Sequence, residues 1–277
     1  MEPVEILPGD GPIVLGVPHA GFYVPDGIWD RLNDTGRVRA DTDWHVDWLY
    51  DGLLPGATMV KATFHRYVID ANRDPADVSL YPGQNTTSLC PTTDFDGRPI
   101  YHPGQEPDAG EIETRRKAWH APYHAALAAE LDRVKRKHGI AILYDCHSIR
   151  SVVPYLFDGT LPDFNTGTNG GVTCAPEIEQ AVVDLTRRAE GYTAVLNGRF
   201  KGGWTTRHYG RPETGIHAIQ MELAQKTHLA TEAPPYTYDE AKAERLRGHL
   251  KTILRALETL ASSLSIKTKT TGGLDHG

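Results

Sequence analysis

Short apolar runs alternate with stretches of helical periodicity along this chain, the pattern of an α/β sheet domain. Residues 13–17 (IVLGV) read as a buried strand that stops at Pro18, His19, Ala20 and Gly21. Between residues 43 and 54, Trp44, Trp48 and Leu49 fall at helical spacing, so a helix is expected there. Two β-rich pieces follow, 58–63 and 67–71, and then a polar stretch rich in Pro, Gly and Thr from Arg73 to about Gly110. Residues 111–138 form the clearest helix: Ala, Leu, Glu, Lys and Arg abound, and Gly139 stands at its stop. Pro122 lies inside that stretch and predicts a kink or a break, because its ring clashes with the preceding turn.

The second half repeats the alternation. Residues 140–144 (IAILY) read as another buried strand, ending at Asp145, Cys146, His147 and Ser148. A helix over 175–190, a short strand at 194–196, a strand at 216–223 and a long amphipathic helix over 240–264 follow. No repeat and no compositional break separates two cores, so residues 1–265 are expected to form one domain. Residues 266–277 lack an apolar period and are expected to form a flexible tail.

Composition narrows the partners. With 39% hydrophobic and 23% charged residues in 277, the chain can bury an ordinary globular core. Its formal charge of −7, without a basic run, argues against nucleic acid or an anionic membrane as partner. A small anionic ligand remains compatible, because a few buried arginines reverse the field locally. Cys90, Cys146 and Cys174 are too scattered for a disulfide framework or a CxxC metal site, which fits a reducing compartment. The N-terminal MEPVEILPGDGP carries acids and prolines rather than a signal-peptide pattern, and no apolar stretch reaches membrane-spanning length. A cytoplasmic protein is expected.

Candidate chemistry gathers where ligands bind in open α/β sheets, beyond the carboxyl ends of strands. His19 and His147 each follow a predicted strand. A neutral imidazole suits zinc, and catalytic zinc takes three protein ligands with a position left for water. With 13 histidines in the chain, one near a strand end is more often a surface residue, but two with an acid between them put a metal site level with that reading. Asp43, in TDWH at the expected helix start, is the best placed carboxylate, with Asp41 and Asp47 as alternatives. A second cluster, residues 65–74 (HRYVIDANRD), sets arginines around an apolar run. A guanidinium there needs an anion, either a substrate carboxylate or an internal partner such as Asp70 or Asp74. Third, Glu222 in QMEL sits in an apolar strand; if buried its pKa rises to useful values, whereas on an edge strand it would simply face solvent. No GxSxG motif supports serine chemistry.

Taken in order, His19 in PHAG, Asp43 in TDWH, IDANRDP, YDCHS, FKGGW and QMEL resemble the N-formylglutamate amidohydrolase family. That family is related to zinc carboxypeptidases and aspartoacylase, and the resemblance implies a phosphorylase/hydrolase-like α/β fold with a mixed central sheet flanked by helices. It further implies one divalent metal, zinc first and cobalt, manganese or iron as alternatives, held by His19, Asp43 and His147. Glu222 would be the general base and Arg66 the oxyanion stabiliser. Asn72 and Arg73 would hold the α-carboxylate of N-formylglutamate, and Lys201 or Arg207 its side-chain carboxylate, beside the close-approach turn of Gly202 and Gly203. The implied activity is hydrolysis of N-formyl-L-glutamate to formate and L-glutamate, last step of a histidine degradation route. One departure stands out: carboxypeptidases carry a short HxxE zinc motif, whereas residue 22 here is Phe22, so the carboxylate must come from farther along. The competing readings are a related zinc deacylase or carboxypeptidase-like hydrolase, and a non-catalytic carboxylate-binding protein.

Overall fold

A computed structural model describes residues 1–80 and 82–271, with side chains described through residue 265. Seven strands form one mixed sheet: β1 (Val4–Leu7), β2 (Ile13–Val17), β3 (Thr58–Ala62), β4 (Ala141–Ile149), β5 (Phe164–Gly167), β6 (Ala194–Leu196) and β7 (Ile216–Ala224). Their spatial order is β1-β3-β2-β4-β7-β5-β6. β3, β2, β4 and β7 run parallel, β1 pairs antiparallel to β3, and β5 pairs antiparallel to β7. This is the single-domain mixed-sheet α/β architecture that the alternation and the resemblance lead one to expect.

The helices are α1 (Asp26–Trp29), α2 (Asp34–Val38), α3 (Val46–Tyr50), α4 (Ala109–Arg115), α5 (Ala121–His138), α6 (Pro176–Arg187), α7 (Trp204–Tyr209) and α8 (Glu240–Thr271). Strand periodicity sends alternate side chains into two cores. Ile13, Leu15, Ile142, Tyr144, Ile219 and Met221 enter one, against residues of α6 and α8. Val14, Leu143 and Ala218 enter the other, against Tyr123, Leu127 and Leu131 of α5. On that second face the central strands change character toward their carboxyl ends. Leu143 is followed by Asp145 and His147, and Ala218 by Gln220 and Glu222, all buried. A face that begins as core therefore ends as a buried polar site.

Several expectations need correction. The helix expected over 43–54 is confined to α3, because His45 adopts the left-handed region at φ 59° on its amino end and Gly52 does so at φ 64° beyond it. Asp43 thus lies in the turn before the helix, and Trp48 is exposed. β4 does not stop at Tyr144 but pairs with β7 as far as Ile149, so His147 belongs to the strand itself. The interruption expected at Pro122 takes the form of a π-helical turn (Arg116–His120) between α4 and α5, a widened turn directly before the proline that cannot donate an amide hydrogen to it. α8 runs past 264 to Thr271, and the rest of the tail expected at 266–277 lies outside the described residues.

Residues 67–71, read as β-rich, are buried but form no strand. Their backbone is satisfied from elsewhere. The Arg115 guanidinium, itself buried, donates to the carbonyls of Tyr67 at 3.3 Å and Val68 at 3.0 Å, and to the Tyr101 hydroxyl at 3.0 Å. Asp70 donates its amide to the Leu89 carbonyl at 2.7 Å. Substituting Arg115→Met removes the charged donor while keeping most of the volume, so the Tyr67 carbonyl retains the Tyr101 hydroxyl at 3.4 Å and the Val68 carbonyl the weaker Cys90 thiol at 3.6 Å. A hydrogen bond from a charged donor contributes about 1.5–3 kcal/mol, so stability is expected to fall by about 3 kcal/mol. Urea unfolding checks this, and an unchanged midpoint at constant slope would mean that the loop does not depend on Arg115.

Candidate active site

Two loops and two strands converge at the polar end of the sheet. The loop after β2 presents His19, and the turn before α3 presents Asp43, whose amide donates to the His19 carbonyl at 3.1 Å. β4 presents His147 in direct register with Glu222 of β7, so the two side chains leave the sheet on the same side. Gly16 faces Asp145 across β2 and β4, where an added Cβ would come within 3.3 Å of the Asp145 carboxylate. Small size at that position makes room for a buried acid.

His19, Asp43 and His147 each offer a donor atom within 4.8 Å of the others, all three buried. Asp43 Oδ2 lies 3.7 Å from His19 Nδ1 and 3.2 Å from His147 Nδ1. A tetrahedral ion bound at about 2.0–2.1 Å holds its ligands about 3.3 Å apart, a value these two distances bracket. Two imidazoles and a carboxylate are also the right donor types, so the cluster fits a divalent cation such as zinc. Each histidine turns its other nitrogen to a further carboxylate: His19 Nε2 is 2.7 Å from Asp70 Oδ1, and His147 Nε2 is 3.2 Å from Asp145 Oδ1. Such outer carboxylates orient ligating imidazoles and raise their basicity. Asp145 is itself held by the Thr206 hydroxyl at 3.1 Å.

The alternative carboxylates point elsewhere. Asp41 accepts from the Tyr67 hydroxyl at 2.8 Å and the Phe95 amide at 2.9 Å, and burial pushes its carboxyl up to about 7. Asp47 faces Lys61 at 3.3 Å. Burial opposes ionisation of Asp43 too, but hydrogen bonds from His147 and His19 and the Arg66 charge outweigh it, holding the carboxyl below its usual range.

Arg66 is buried and stacks over Phe95, its guanidinium carbon 4.8 Å from the ring centre. It reaches His19 Nε2 at 2.9 Å and lies 3.6 Å from Asp70 Oδ2 and 3.9 Å from Asp43 Oδ1. Arg73 Nε is 3.7 Å from Asp70 Oδ2, and its Nη2 donates to the Thr87 hydroxyl at 3.1 Å. The internal ion pair to Asp70 considered for these arginines therefore exists, and both still line the cleft. Burial would raise the Asp70 carboxyl, yet the charges of His19 and Arg66 hold it well below the ordinary range.

Glu222 is buried on a central strand, not on an edge. Burial pushes its carboxyl up to about 8, against the attraction of His147 and with the help of the Asp43 charge. Gln220 links it to the glycine-rich turn: its amide donates to Glu222 Oε2 at 3.1 Å, and its Oε1 accepts the Gly203 amide at 2.6 Å. Gly203 is where close approach is needed, since a Cβ there would fall 2.3 Å from Asn72 Nδ2. The Asn72 amide also lies 3.1 Å from His147 Nε2 and accepts the Thr205 amide at 2.9 Å.

His19, Asp43, His147, Glu222, Gln220 and the arginines line one cleft that opens to solvent. Asn72, Arg73 and Gly203 are on its wall; Lys201, Gly202 and Arg207 are not among the lining residues. Arg207 donates instead to the Gly202 carbonyl at 2.8 Å, within the turn. Sequence reasoning named Asp70 only as an ion-pair partner and missed Asp145 and Gln220. Asp145 and Gln220 were within reach of it, since each stands two residues before His147 or Glu222 on the same strand face.

Comparison with known proteins gives the family of the chain. The family model described as N-formylglutamate amidohydrolase matches residues 11–229. An N-formylglutamate deformylase of Pseudomonas putida is 45% identical over 247 residues, covering 89% of this chain and 92% of that protein. One from Pseudomonas aeruginosa is 45% identical over 258 residues, covering 92% and 96%. The crystal structure of an N-formylglutamate amidohydrolase from Ralstonia eutropha superposes with a TM-score of 0.72 at 26% identity, covering 98% of this chain and 100% of that one. With a matching model over most of its length and relatives this similar end to end, the chain belongs to the N-formylglutamate amidohydrolase family.

Proposed function

We propose that this chain hydrolyses N-formyl-L-glutamate to formate and L-glutamate, in the last step of a histidine degradation route. The observation that carries the reading is the buried His19–Asp43–His147 cluster beside Glu222 at the base of an arginine-lined cleft. Relatives that bear the name of this activity agree with it. His19, Asp43 and His147 would hold one divalent cation, zinc before cobalt, manganese or iron. Such a cation, when bound, polarises a carbonyl oxygen and lowers the pKa of water.

The protein's own groups supply the rest. Glu222 accepts the proton of the attacking water and returns it to the departing amide nitrogen as the C–N bond breaks. Arg66 faces the negative charge that grows on the formyl oxygen. Arg73 and Asn72 take the α-carboxylate, and the Gly203 turn lets backbone and substrate approach closely. The three cysteines are separately buried thiols, which suits a reducing compartment, and we place the enzyme in the cytoplasm. Among the described residues no helix is long and apolar enough to cross a membrane.

The deciding experiment measures formate release from N-formyl-L-glutamate against acetate release from N-acetyl-L-glutamate and cleavage of a short glutamyl peptide. The extra methyl group of the acetyl substrate is expected to cost about 10–200-fold in kcat/KM. Preference for acetyl or peptide would replace this reading with a related deacylase or carboxypeptidase-like hydrolase. Binding of glutamate without turnover in any metal state would point to a carboxylate-binding protein.

A further inference from the structure

We propose that Arg199 is the specificity-determining residue that receives the side-chain carboxylate of the substrate. The inference rests on the deformylase reading above and names the group that makes the site choose an acidic amino acid. Lys201 and Arg207, the cations nearest to the glycine-rich turn in sequence, are not on the cleft wall, whereas Arg199 is. Its Nε donates to the Leu156 carbonyl at 2.9 Å, and its Nη2 to the Asn85 carbonyl at 3.3 Å. Backbone carbonyls of this kind orient a guanidinium.

The placement matches a dicarboxylate. Arg73 is tied to Thr87 and Arg199 to Asn85, so the two guanidinium groups grip the same short wall of the cleft. Residues two apart in a chain are at most about 7 Å from Cα to Cα. The two carboxylate carbons of a glutamyl group are about 5 Å apart when extended, at bond lengths of about 1.5 Å. Two arginines that line one cleft and are anchored on one short segment are placed to meet the two ends of one small substrate. Arg66 is engaged with His19 and Asp70 at the metal cluster, which leaves the outer carboxylate to Arg199.

The test compares wild type with Arg199→Met on N-formyl-L-glutamate and on N-formyl-L-glutamine, its neutral isostere, using metal-loaded enzyme. The variant is expected to lose about 30-fold in kcat/KM on the acid, mostly through KM, the range of a charge-assisted hydrogen bond. Its loss on the amide should be several-fold smaller, because a carboxamide oxygen accepts a hydrogen bond from the guanidinium but forms no ion pair with it. Equal losses on both substrates would make Arg199 a clip between the loops of Leu156 and Asn85, and overturn the assignment. An unchanged acid-to-amide ratio would overturn it too. Calorimetric binding of L-glutamate against L-glutamine decides the matter separately from turnover: wild type should prefer the acid and Arg199→Met should not. A wild type that discriminates without releasing formate would sink the deformylase reading and leave Arg199 standing, whereas one that does not discriminate would sink Arg199.

Discussion

Replacing Glu222 by glutamine is expected to lower kcat on N-formyl-L-glutamate by roughly 10²–10⁴-fold, the share a positioned proton acceptor supplies. KM should change little, because Glu222 lies beside the metal cluster and not among the arginines that would hold the carboxylates. The fold should survive. Glutamine keeps the shape of the side chain, and an amide is less costly to bury than a carboxylate. Gln220 would still have an acceptor at the new amide oxygen. Metal content should also stay intact, since His19, Asp43 and His147 are untouched. Steady-state kinetics together with metal analysis of the purified variant check all three statements. A variant that turned over normally would remove the base from Glu222, and one that lost its metal would make Glu222 part of the cluster.

That a buried carboxylate at residue 222 could be anticipated from sequence follows from how a strand distributes side chains. A carboxylate between Met221 and Leu223 in an apolar run must be either buried or on an edge, and pairing on both sides of β7 makes it buried. The strands at 13–17 and 194–196 were legible because continuous apolar runs have few other uses. β1 and β5 were not. β1 is a mostly exposed edge strand, and β5 (Phe164–Gly167) is buried with an Asn, a Thr and a Gly in it. Asn165 can be there because its amide donates to the Glu222 carbonyl at 3.1 Å, a partner no local pattern reveals. Residues 67–71 fail in the opposite direction, since an apolar run looks like a strand until Arg115 takes over its carbonyls.

The site divides in the same way. His19, Asp43, His147 and Glu222 stand out in the sequence itself, and the fold brings the first three into one cluster. The orienting acids Asp70 and Asp145 are invisible there as site residues, because their role exists only through a neighbour in space. Arg199 escapes notice for a related reason. Among several cations around one glycine-rich turn, spacing cannot say which one the backbone directs into the cleft.

Chelation of the divalent cation is expected to abolish formate release, and adding back zinc or cobalt to restore it. The protein should remain folded meanwhile, because the ligands stand on a seven-stranded sheet with two apolar cores of its own. A graded series of variants makes the result specific to this cluster. His147→Ala removes a ligand and leaves Asp43 with one imidazole fewer, so bound metal should fall well below one ion per chain and activity with it. Asp70→Asn retains all three ligands but exchanges the carboxylate behind His19 for an amide. The loss expected there is smaller, about 10–100-fold in metal affinity, with activity recovering at high metal concentration. Metal titration followed by formate release separates the two cases, since excess metal can compensate weakened affinity but cannot supply a missing ligand. If full activity persisted after chelation to no detectable metal, the His19–Asp43–His147 cluster would be a buried hydrogen-bond network, and Glu222 and Arg66 would have to carry the hydrolysis alone.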